Sequence, residues 1–308
     1  MAGKLTKLSS RASIEGVKYI GDYNFRCGDS SPVFEVSTQH GLNQLLGNAK
    51  FNNREYGEVL YRGQCNLYDT VMPSLFRKCK LVHGKMKALN SLIQSVKDDE
   101  PLCKDLKING NPDSEAIIEA ALQHYGVPTR YIDLVDNHWV ALWMGLYHAQ
   151  KAKRIIDYYH YEKRTVLIEK LVNGDYKGNK LDDLYQFILL IAVPSLMGKE
   201  GVKKADGFLQ VDLRQALPSI FLRPHAQHGI VVRRKGDDRG KPSFYDVASQ
   251  VVGVLKIRID IADKWLGNGT LLTMENLFPP AAVDYGYDLL LSKTNIFNKP
   301  ECAVTRYY

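Results

Sequence analysis

Three consecutive residues, Tyr61-Arg62-Gly63, combine a charged side chain with an exposed stretch of backbone in a way that could bind a charged ligand. They follow Val59-Leu60, and this apolar run predicts a buried strand that ends near the arginine. An arginine presents five N–H donors in a planar fork, which suits phosphate or ribose oxygens. Glycine has no side chain, so a ligand can approach its backbone closely. The alternative is a surface arginine that precedes a turn glycine.

A second polar group, Gln123 to Arg130, stands at a predicted corner between a helix and a strand, because a glycine and a proline interrupt the helix there. Arg130 and Asp133 are three positions apart, so they point to opposite faces of a regular strand. His124 is a candidate general base, since the pKa of a free histidine is near neutrality. The alternative is a structural cluster, in which the amide and the imidazole bind loop carbonyls and the arginine and the aspartate form an internal pair.

A third polar group, Arg223 to Gly229, precedes an apolar strand that begins at Ile230. Gln227 and the histidines at positions 225 and 228 fit the edge of a pocket, but no third residue at metal-ligand spacing accompanies them, so the sequence predicts no metal site. It contains no Gly-x-Ser-x-Gly elbow, Gly-x-Gly-x-x-Gly loop or P-loop lysine motif. Any catalysis would therefore depend on Arg, Gln, His, Tyr and backbone groups.

The composition is that of a globular protein with a basic surface. Of the 308 residues, 45% are hydrophobic and 24% are charged, with a formal net charge of +7. No window of about 18 apolar residues is present, so we expect a cytoplasmic protein with no membrane partner. The positive charge favours acidic partners such as nucleotides or nucleic acid. It is spread in short clusters, such as Arg233-Arg234-Lys235, which are more typical of a solvated surface than of a nucleic-acid groove.

The five cysteines predict free thiols. Their number is odd and their positions are scattered, without metal-ligand spacing: Cys27, Cys65, Cys79, Cys103 and Cys302.

The order of predicted elements indicates an α+β fold with a mixed or antiparallel sheet and with helices concentrated in the first half. Helices are predicted from a cap at Ser37, over residues 84–97, from Asn111-Pro112 to Gly126, and from a cap at Asn137. Strands are predicted at 165–168, 187–193, 230–233 and 251–259, with short helices at 262–266, 273–277 and 285–291. We expect residues 1–33 to form an N-terminal arm and residues 34–308 to form one domain.

In this order, the three polar groups resemble the FRG domain, a bacterial and phage-associated family named for a Phe-Arg-Gly motif. The motif stands here as Tyr61-Arg62-Gly63-Gln64. The second family signature is similar to the run from Gln123 to Asp133, with Asn137 after it, and the third to Arg223 with Ala226-Gln227-His228-Gly229. The resemblance covers roughly residues 35–295. It departs from the family pattern where Tyr replaces Phe, and also at Leu134-Val135, His138 and Ile230.

The FRG pattern is in turn remotely similar to the ADP-ribosyltransferase fold, and this implies NAD as a substrate whose nicotinamide glycosidic bond is cleaved. In that layout Arg62 neutralises phosphate, Gly63 orients nicotinamide and Gln227 binds ribose hydroxyls. The implied catalytic residues are Gln227, His124 and Asp133, with His228 as a further candidate base. The implied cofactor-binding residues are Tyr61, Arg62, Gly63, Gln123, Tyr125, Arg130, Asn137 and Arg223.

Two functions are compatible with these residues. The first is an ADP-ribosyltransferase or NAD glycohydrolase that uses no metal, with a toxin or phage-defence role implied by the family association. The second is a non-catalytic module that uses the same pocket to bind a nucleotide, a nucleic acid or a protein. Because a glutamine cannot act as a base, Gln227 keeps the second function open.

Overall fold

The structure is a computed structural model that describes residues 3–11, 13–77, 82–152, 158–174, 181–195, 197–205, 207–235, 241–297 and 303–307. Its strands, in chain order, are β1 (Val17–Asn24), β2 (Ser30–Val36), β3 (Gly57–Gln64), β4 (Ile132–Val135), β5 (Tyr147–Ala152), β6 (Tyr158–Lys163), β7 (Tyr185–Pro194), β8 (Met197–Lys199), β9 (Val202–Ala205), β10 (Phe208–Asp212), β11 (Gly229–Arg234) and β12 (Val251–Arg258).

The α-helices are α1 (Gln39–Asn53), α2 (Val82–Lys97), α3 (Glu100–Asp105), α4 (Ser114–His124), α5 (His138–Leu146), α6 (Val166–Val172), α7 (Leu213–Ala216), α8 (Leu222–Ala226), α9 (Ile259–Trp265), α10 (Met274–Leu277) and α11 (Tyr285–Ser292). Short 3₁₀ turns occur at Ser74–Phe76, Leu181–Leu184, Pro242–Tyr245, Ala248–Gln250 and Gly267–Gly269. The longest of these helices, α1, α2 and α4, have 15, 16 and 11 residues and lie in the first half of the chain.

Ten strands form one sheet in the order β1-β2-β12-β7-β3-β4-β11-β10-β9-β8, and β5 and β6 form a separate hairpin. Neighbouring strands of the large sheet run antiparallel except for β2 and β12, which are parallel. These findings confirm the prediction of an α+β fold with a mixed, mainly antiparallel sheet.

The central strand β7 shows why this sheet forms. Eight of its ten residues are buried, and they include an unbroken apolar run from Phe187 to Val193. Such a run suits a strand that is covered on both faces. At the edge of the sheet, β1 has no buried residue. The difference places the core around β7, β12 and β3.

Helices cover the sheet in two groups. One group, α1, α5, α9 and α10, packs with apolar residues of β2, β3, β7 and β12 in one cluster. The other group, α2, α3, α4, α7 and α11, packs with residues of β10 and β11. The helix α5 belongs to the first group and α4 to the second. The chain from α4 through β4 to α5 therefore connects the two helix groups.

Capping residues define the helices next to the candidate site. Asn137 caps α5 as predicted, because its side-chain oxygen accepts from the amide of Trp139. The helix α4 begins at Ser114, three residues after Asn111, and is followed by Gly126 with a φ of +90°. The cap of α1 is Thr38, whose hydroxyl accepts from Gly41, so the prediction of Ser37 is wrong by one position.

The predicted strand at residues 165–168 is also wrong, because residues Val166–Val172 form α6. Arg164 precedes this helix and is buried. Its guanidinium donates to the carbonyls of Gly145, Asp183 and Tyr185. These hydrogen bonds fix the position of the residue from which α6 starts. These contacts, together with the packing of Leu167 and Ile168 onto the core, outweigh the preference of β-branched residues for strands.

The described part of the first 33 residues packs on the sheet and contributes β1 and the start of β2 to it. The amide of Leu8 donates to the carbonyl of Val252 at 2.8 Å, and the Leu8 side chain is buried. Further on, β1 pairs with β2 at the sheet edge.

Three of the cysteines, Cys27, Cys65 and Cys103, are free, as predicted. The same prediction for Cys79 and Cys302 lies outside the described residues. Within the described part of the chain, no helix has both the length and the apolar character needed to cross a bilayer.

Candidate functional site

The candidate site is a cleft where two neighbouring strands of the sheet diverge. Along its whole length β3 pairs with β7, and β4 likewise pairs with β11. Among the described residues, β3 and β4 pair with each other only at Tyr61 and Val135. Beyond this pair lies a cleft of about 730 Å³, within the size range of small-molecule sites. The antiparallel direction brings the end of β3 and the start of β4 to the same opening.

Arg62 provides a positive charge at this opening. Its Nη1 donates to the backbone carbonyl of Asp133 at 2.7 Å, which holds the guanidinium across the gap between the strands. Burial, and then the nearby charge of Arg77, lower the pKa of Arg62 to about 10, so it remains protonated at neutral pH. Arg77 is exposed, lines the same cleft and donates from Nε to the carbonyl of Met72. The cleft therefore contains two guanidinium groups.

Asp133 provides a carboxylate beside these arginines. Gln123 Nε2 donates to Asp133 Oδ2 at 2.6 Å, and Thr129 in turn donates to Gln123 Oε1 at 2.7 Å. Burial raises the pKa of Asp133 above its ordinary value, although Arg62 and Gln123 act in the opposite direction. The result is a carboxylate with a fixed orientation and increased basicity, which suits a group that must accept a proton.

His124 lines the cleft but is a poor candidate for a general base. It is buried, and burial, followed by the positive charge of Arg223, lowers its pKa to about 3. None of the described residues forms a hydrogen bond with its Nε2. The ring is therefore neutral and weakly basic at neutral pH. The geometry does not support the predicted catalytic role.

Gln227 lines the cleft from the end of α8. Its Nε2 donates to the carbonyl of Leu277 at 2.7 Å, so the amide nitrogen has a structural role. The side-chain oxygen takes no part in this bond. His228, by contrast, pairs with Asp136 at 3.0 Å and is not in the cleft lining.

The packing of β3 against α5 requires a glycine at position 63, which the sequence did not reveal. A Cβ at this position would lie 1.7 Å from the carbonyl oxygen of Ala141 in α5, an impossible distance. Since only glycine lets α5 approach β3 so closely, the residue is required by the fold whether or not a ligand contacts its backbone. Tyr61 lies on the same strand face, packed edge-on against His138.

Five aromatic rings that the sequence did not indicate as part of the site line the cleft: Tyr68, Tyr147, Tyr161, Phe278 and Tyr307. The ring of Tyr161 lies 4.6 Å from that of Phe278 and is parallel to that of Tyr307 at 5.9 Å. Buried Trp143 stacks on Tyr147 at 4.3 Å. These rings come from four separate parts of the chain, with Tyr147 and Tyr161 on the hairpin of β5 and β6, and no shared motif in the sequence indicates them.

The remaining predicted binding residues lie outside the cleft lining, each for a structural reason. Tyr125 is fully buried and donates to Asp284 at 2.9 Å. Arg130 forms a two-point ion pair with buried Glu119, at 2.9 and 3.0 Å from its Nε. Asn137 caps α5. Arg223 is fully buried behind the cleft wall.

The basic cluster of β11 is part of the packed structure. The Arg233 guanidinium lies over the ring of Tyr131 at 5.4 Å, and that of Arg234 donates to Ser249 at 2.6 Å. Neither side chain is free to form a nucleic-acid stripe. In the described portion, no three His, Cys, Asp or Glu residues are grouped to hold a metal ion.

Comparison with known proteins adds one match. The family model described as the FRG domain matches residues 57–154, a range that contains the Tyr61-Arg62-Gly63 motif and the run from Gln123 to Asp133. No curated protein and no solved structure matches the chain. The matched range thus includes the arginine and the carboxylate that face each other across the cleft.

Proposed function

We propose that the cleft binds NAD or a closely related nucleotide and cleaves its nicotinamide glycosidic bond, as an ADP-ribosyltransferase or an NAD glycohydrolase. The main support is that Arg62 and Asp133 meet where β3 and β4 diverge. A cationic group and a carboxylate in one cleft suit a ligand that carries phosphates and develops positive charge at a reacting carbon.

Charge and shape on the two sides of the cleft support a nucleotide in particular. Arg62 and Arg77 provide charged donors for a pyrophosphate, which accepts such bonds well. The rings of Tyr147 and Tyr161 provide flat surfaces for stacking a planar base or nicotinamide. The side-chain oxygen of Gln227 could accept from a ribose hydroxyl. The division of the sheet at β3 and β4 also fits the proposed ADP-ribosyltransferase-like layout.

The proposed reaction breaks the bond between ribose C1′ and the nicotinamide nitrogen, and the bonding electrons leave with neutral nicotinamide. Water or an acceptor hydroxyl then bonds to C1′ and loses its proton to Asp133. An oxocarbenium-like transition state is stabilised by a nearby negative charge, which Asp133 supplies. The raised pKa of Asp133 favours its acceptance of the proton.

The first test uses Arg62→Ala. With wild-type protein, NAD should raise the thermal midpoint and nicotinamide should be released slowly, and Arg62→Ala should abolish both effects. Arg54→Ala serves as the matched control, because Arg54 is exposed beside Glu55 and lies outside the cleft. If millimolar NAD fails to shift the wild-type midpoint, the proposal is wrong.

Asp133→Asn separates catalysis from binding. The variant should keep the thermal shift with NAD, because Arg62 bonds to the backbone of residue 133 and not to its carboxylate. Nicotinamide release should fall by about 100-fold or more, the usual effect of losing a general base. The alternative function, a binding module without catalysis, is favoured by the amide at Gln227. It would be supported by wild-type protein that binds NAD without releasing nicotinamide.

A further inference from the structure

Arg223, in α8, is the most unusual charged residue of the molecule. It is fully buried, and aromatic rings surround its guanidinium. The Cζ atom lies 4.5 Å from the ring centre of Tyr287, 4.6 Å from Tyr125, 4.8 Å from Tyr307 and 5.4 Å from Phe278. The rings stabilise the cation through their electron-rich faces, but they accept no conventional hydrogen bonds.

The three nitrogens of this guanidinium have no hydrogen-bond partner within the described part of the chain. The nearby carboxylate of Asp284 instead accepts from the backbone amide of Arg223 and from the hydroxyl of Tyr125. No ion pair links the Arg223 side chain to any carboxylate among the residues that the structure describes. Unpaired buried donors are energetically costly, so this group would gain from an acceptor with several oxygens.

The guanidinium lies directly behind the wall of the cleft. Two of its four neighbouring rings, those of Phe278 and Tyr307, also line the cleft, as do His124 and Gln227 from the adjoining chain. Removing one ring of the wall would connect Arg223 with the space that Arg62 and Arg77 face.

Tyr307 is the ring best placed to move. Its segment, Ala303–Tyr307, is held by single hydrogen bonds to Tyr125, Tyr159 and Tyr287, and the Tyr307 hydroxyl bonds to that of Tyr161. One isolated bridge to Tyr159 is its only described strand pairing. Phe278 is a buried member of the core cluster beside α10, whereas Tyr307 is only partly buried against that cluster.

We propose that Arg223 is a second phosphate-binding position of the cleft, covered in this structure by the ring of Tyr307. A phosphate group that enters the cleft displaces this ring and takes up the unpaired N–H donors of Arg223. This inference deepens the proposed function, because it adds a second contact for the phosphates of the same nucleotide.

The test is calorimetric titration with inorganic pyrophosphate at constant ionic strength. Tyr307→Ala should bind pyrophosphate about tenfold more tightly than wild type, because a variant that is already open does not need to displace the ring. Tyr307→Phe keeps the ring and should bind more weakly than Tyr307→Ala, and Tyr285→Ala, a control at a tyrosine that is 68% exposed, should bind like wild type. Adding Arg223→Gln to Tyr307→Ala should remove the gain in affinity for pyrophosphate. Equal or weaker binding by Tyr307→Ala overturns the proposal.

A second measurement needs no variant. Trypsin cleaves after Arg306, so pyrophosphate should accelerate this cleavage in wild-type protein relative to chloride at the same ionic strength, and adenosine should not. Unchanged or slower cleavage would also overturn the proposal. Pyrophosphate has no glycosidic bond, so a positive result together with no NAD binding would reject the proposed function alone. NAD cleavage without any effect of Tyr307→Ala on pyrophosphate binding would reject only the role of Arg223.

Discussion

Two titratable residues of the cleft, His124 and Asp133, show how burial decides which side chain can exchange a proton. Desolvation disfavours the charged form of both. For the histidine this lowers the pKa and weakens the base, whereas for the aspartate it raises the pKa and strengthens the base. The sequence suggests either residue as a base, and their surroundings favour Asp133.

His124 should make the stability of the protein depend on pH. Its folded pKa of about 3 lies below the ordinary value of 6.5, so the unfolded chain binds the proton more readily. The stabilisation is complete above pH 6.5 and is lost as the pH falls towards the folded pKa. Between pH 7 and pH 4.5, wild type should lose about 2–3 kcal/mol more than His124→Gln in urea unfolding. The exposed His40→Gln should behave like wild type, and equal losses in all three proteins would contradict the assignment.

Protonation of Asp133 should cause the loss of activity at low pH, the acidic limb of the pH profile. The proposed reaction needs its ionised form, and its pKa lies above the ordinary value of 3.8. Nicotinamide release should therefore rise with pH through a midpoint above 3.8. Measuring kcat/KM against pH gives this midpoint, and the residual activity of Asp133→Asn should lack the limb. A limb that persists in the variant would identify a different base.

At the scale of elements, the contact between β3 and α5 positions the arginine. Gly63 lies against the carbonyl of Ala141, and Tyr61 packs on the same side of β3. Because side chains alternate along a strand, this packing directs Arg62 to the other side, where it bonds across to β4. The tight contact thus fixes the rotation of the strand that presents the guanidinium.

Gly63→Ala should disturb this contact strongly. The added methyl group would meet a backbone carbonyl, which cannot move as a flexible side chain would, and we expect a loss of about 3 kcal/mol in the free energy of unfolding. Gly47→Ala is the matched control, because that glycine is exposed within α1 with nothing near its Cβ position. It should stabilise the protein by roughly 0.5–1 kcal/mol. Denaturant titration measures both, and similar values would refute the packing argument.

At the scale of the whole molecule, the cleft divides the large sheet into two five-stranded halves, β1-β2-β12-β7-β3 and β4-β11-β10-β9-β8. The pair of Tyr61 and Val135 is the one described ladder contact between them. A ligand held by Arg62 on one side and Asp133 on the other would therefore bridge the halves.

Hydrogen exchange provides a test of this bridging. NAD should slow amide exchange at the end of β3 and throughout β4, because the ligand holds these diverging strands together. Exchange in the edge strand β8 and its neighbour β9 should not change, since they lie far from the cleft in the strand order. Protection limited to one half of the sheet would show that the ligand does not span the cleft.

The sequence alone determined the elements that depend on neighbours along the chain. The apolar run of β7, the Asn137 cap of α5 and the glycine that follows α4 were all predictable, because strands, caps and turns respond to local residue types. The same holds for Arg62 and the run from Gln123 to Asp133, whose spacing also carries the family resemblance.

Only the tertiary structure decided which of these residues share the cleft. Arg130 turns away to Glu119, eleven positions earlier, and Arg223 lies behind a wall that includes Tyr307. Five aromatic rings from four separate parts of the chain reach the cleft instead. The reason is that strand order and burial bring together residues that are far apart in the chain. Local sequence patterns do not predict these contacts. They also do not predict the desolvation that shifts the pKa values of His124 and Asp133.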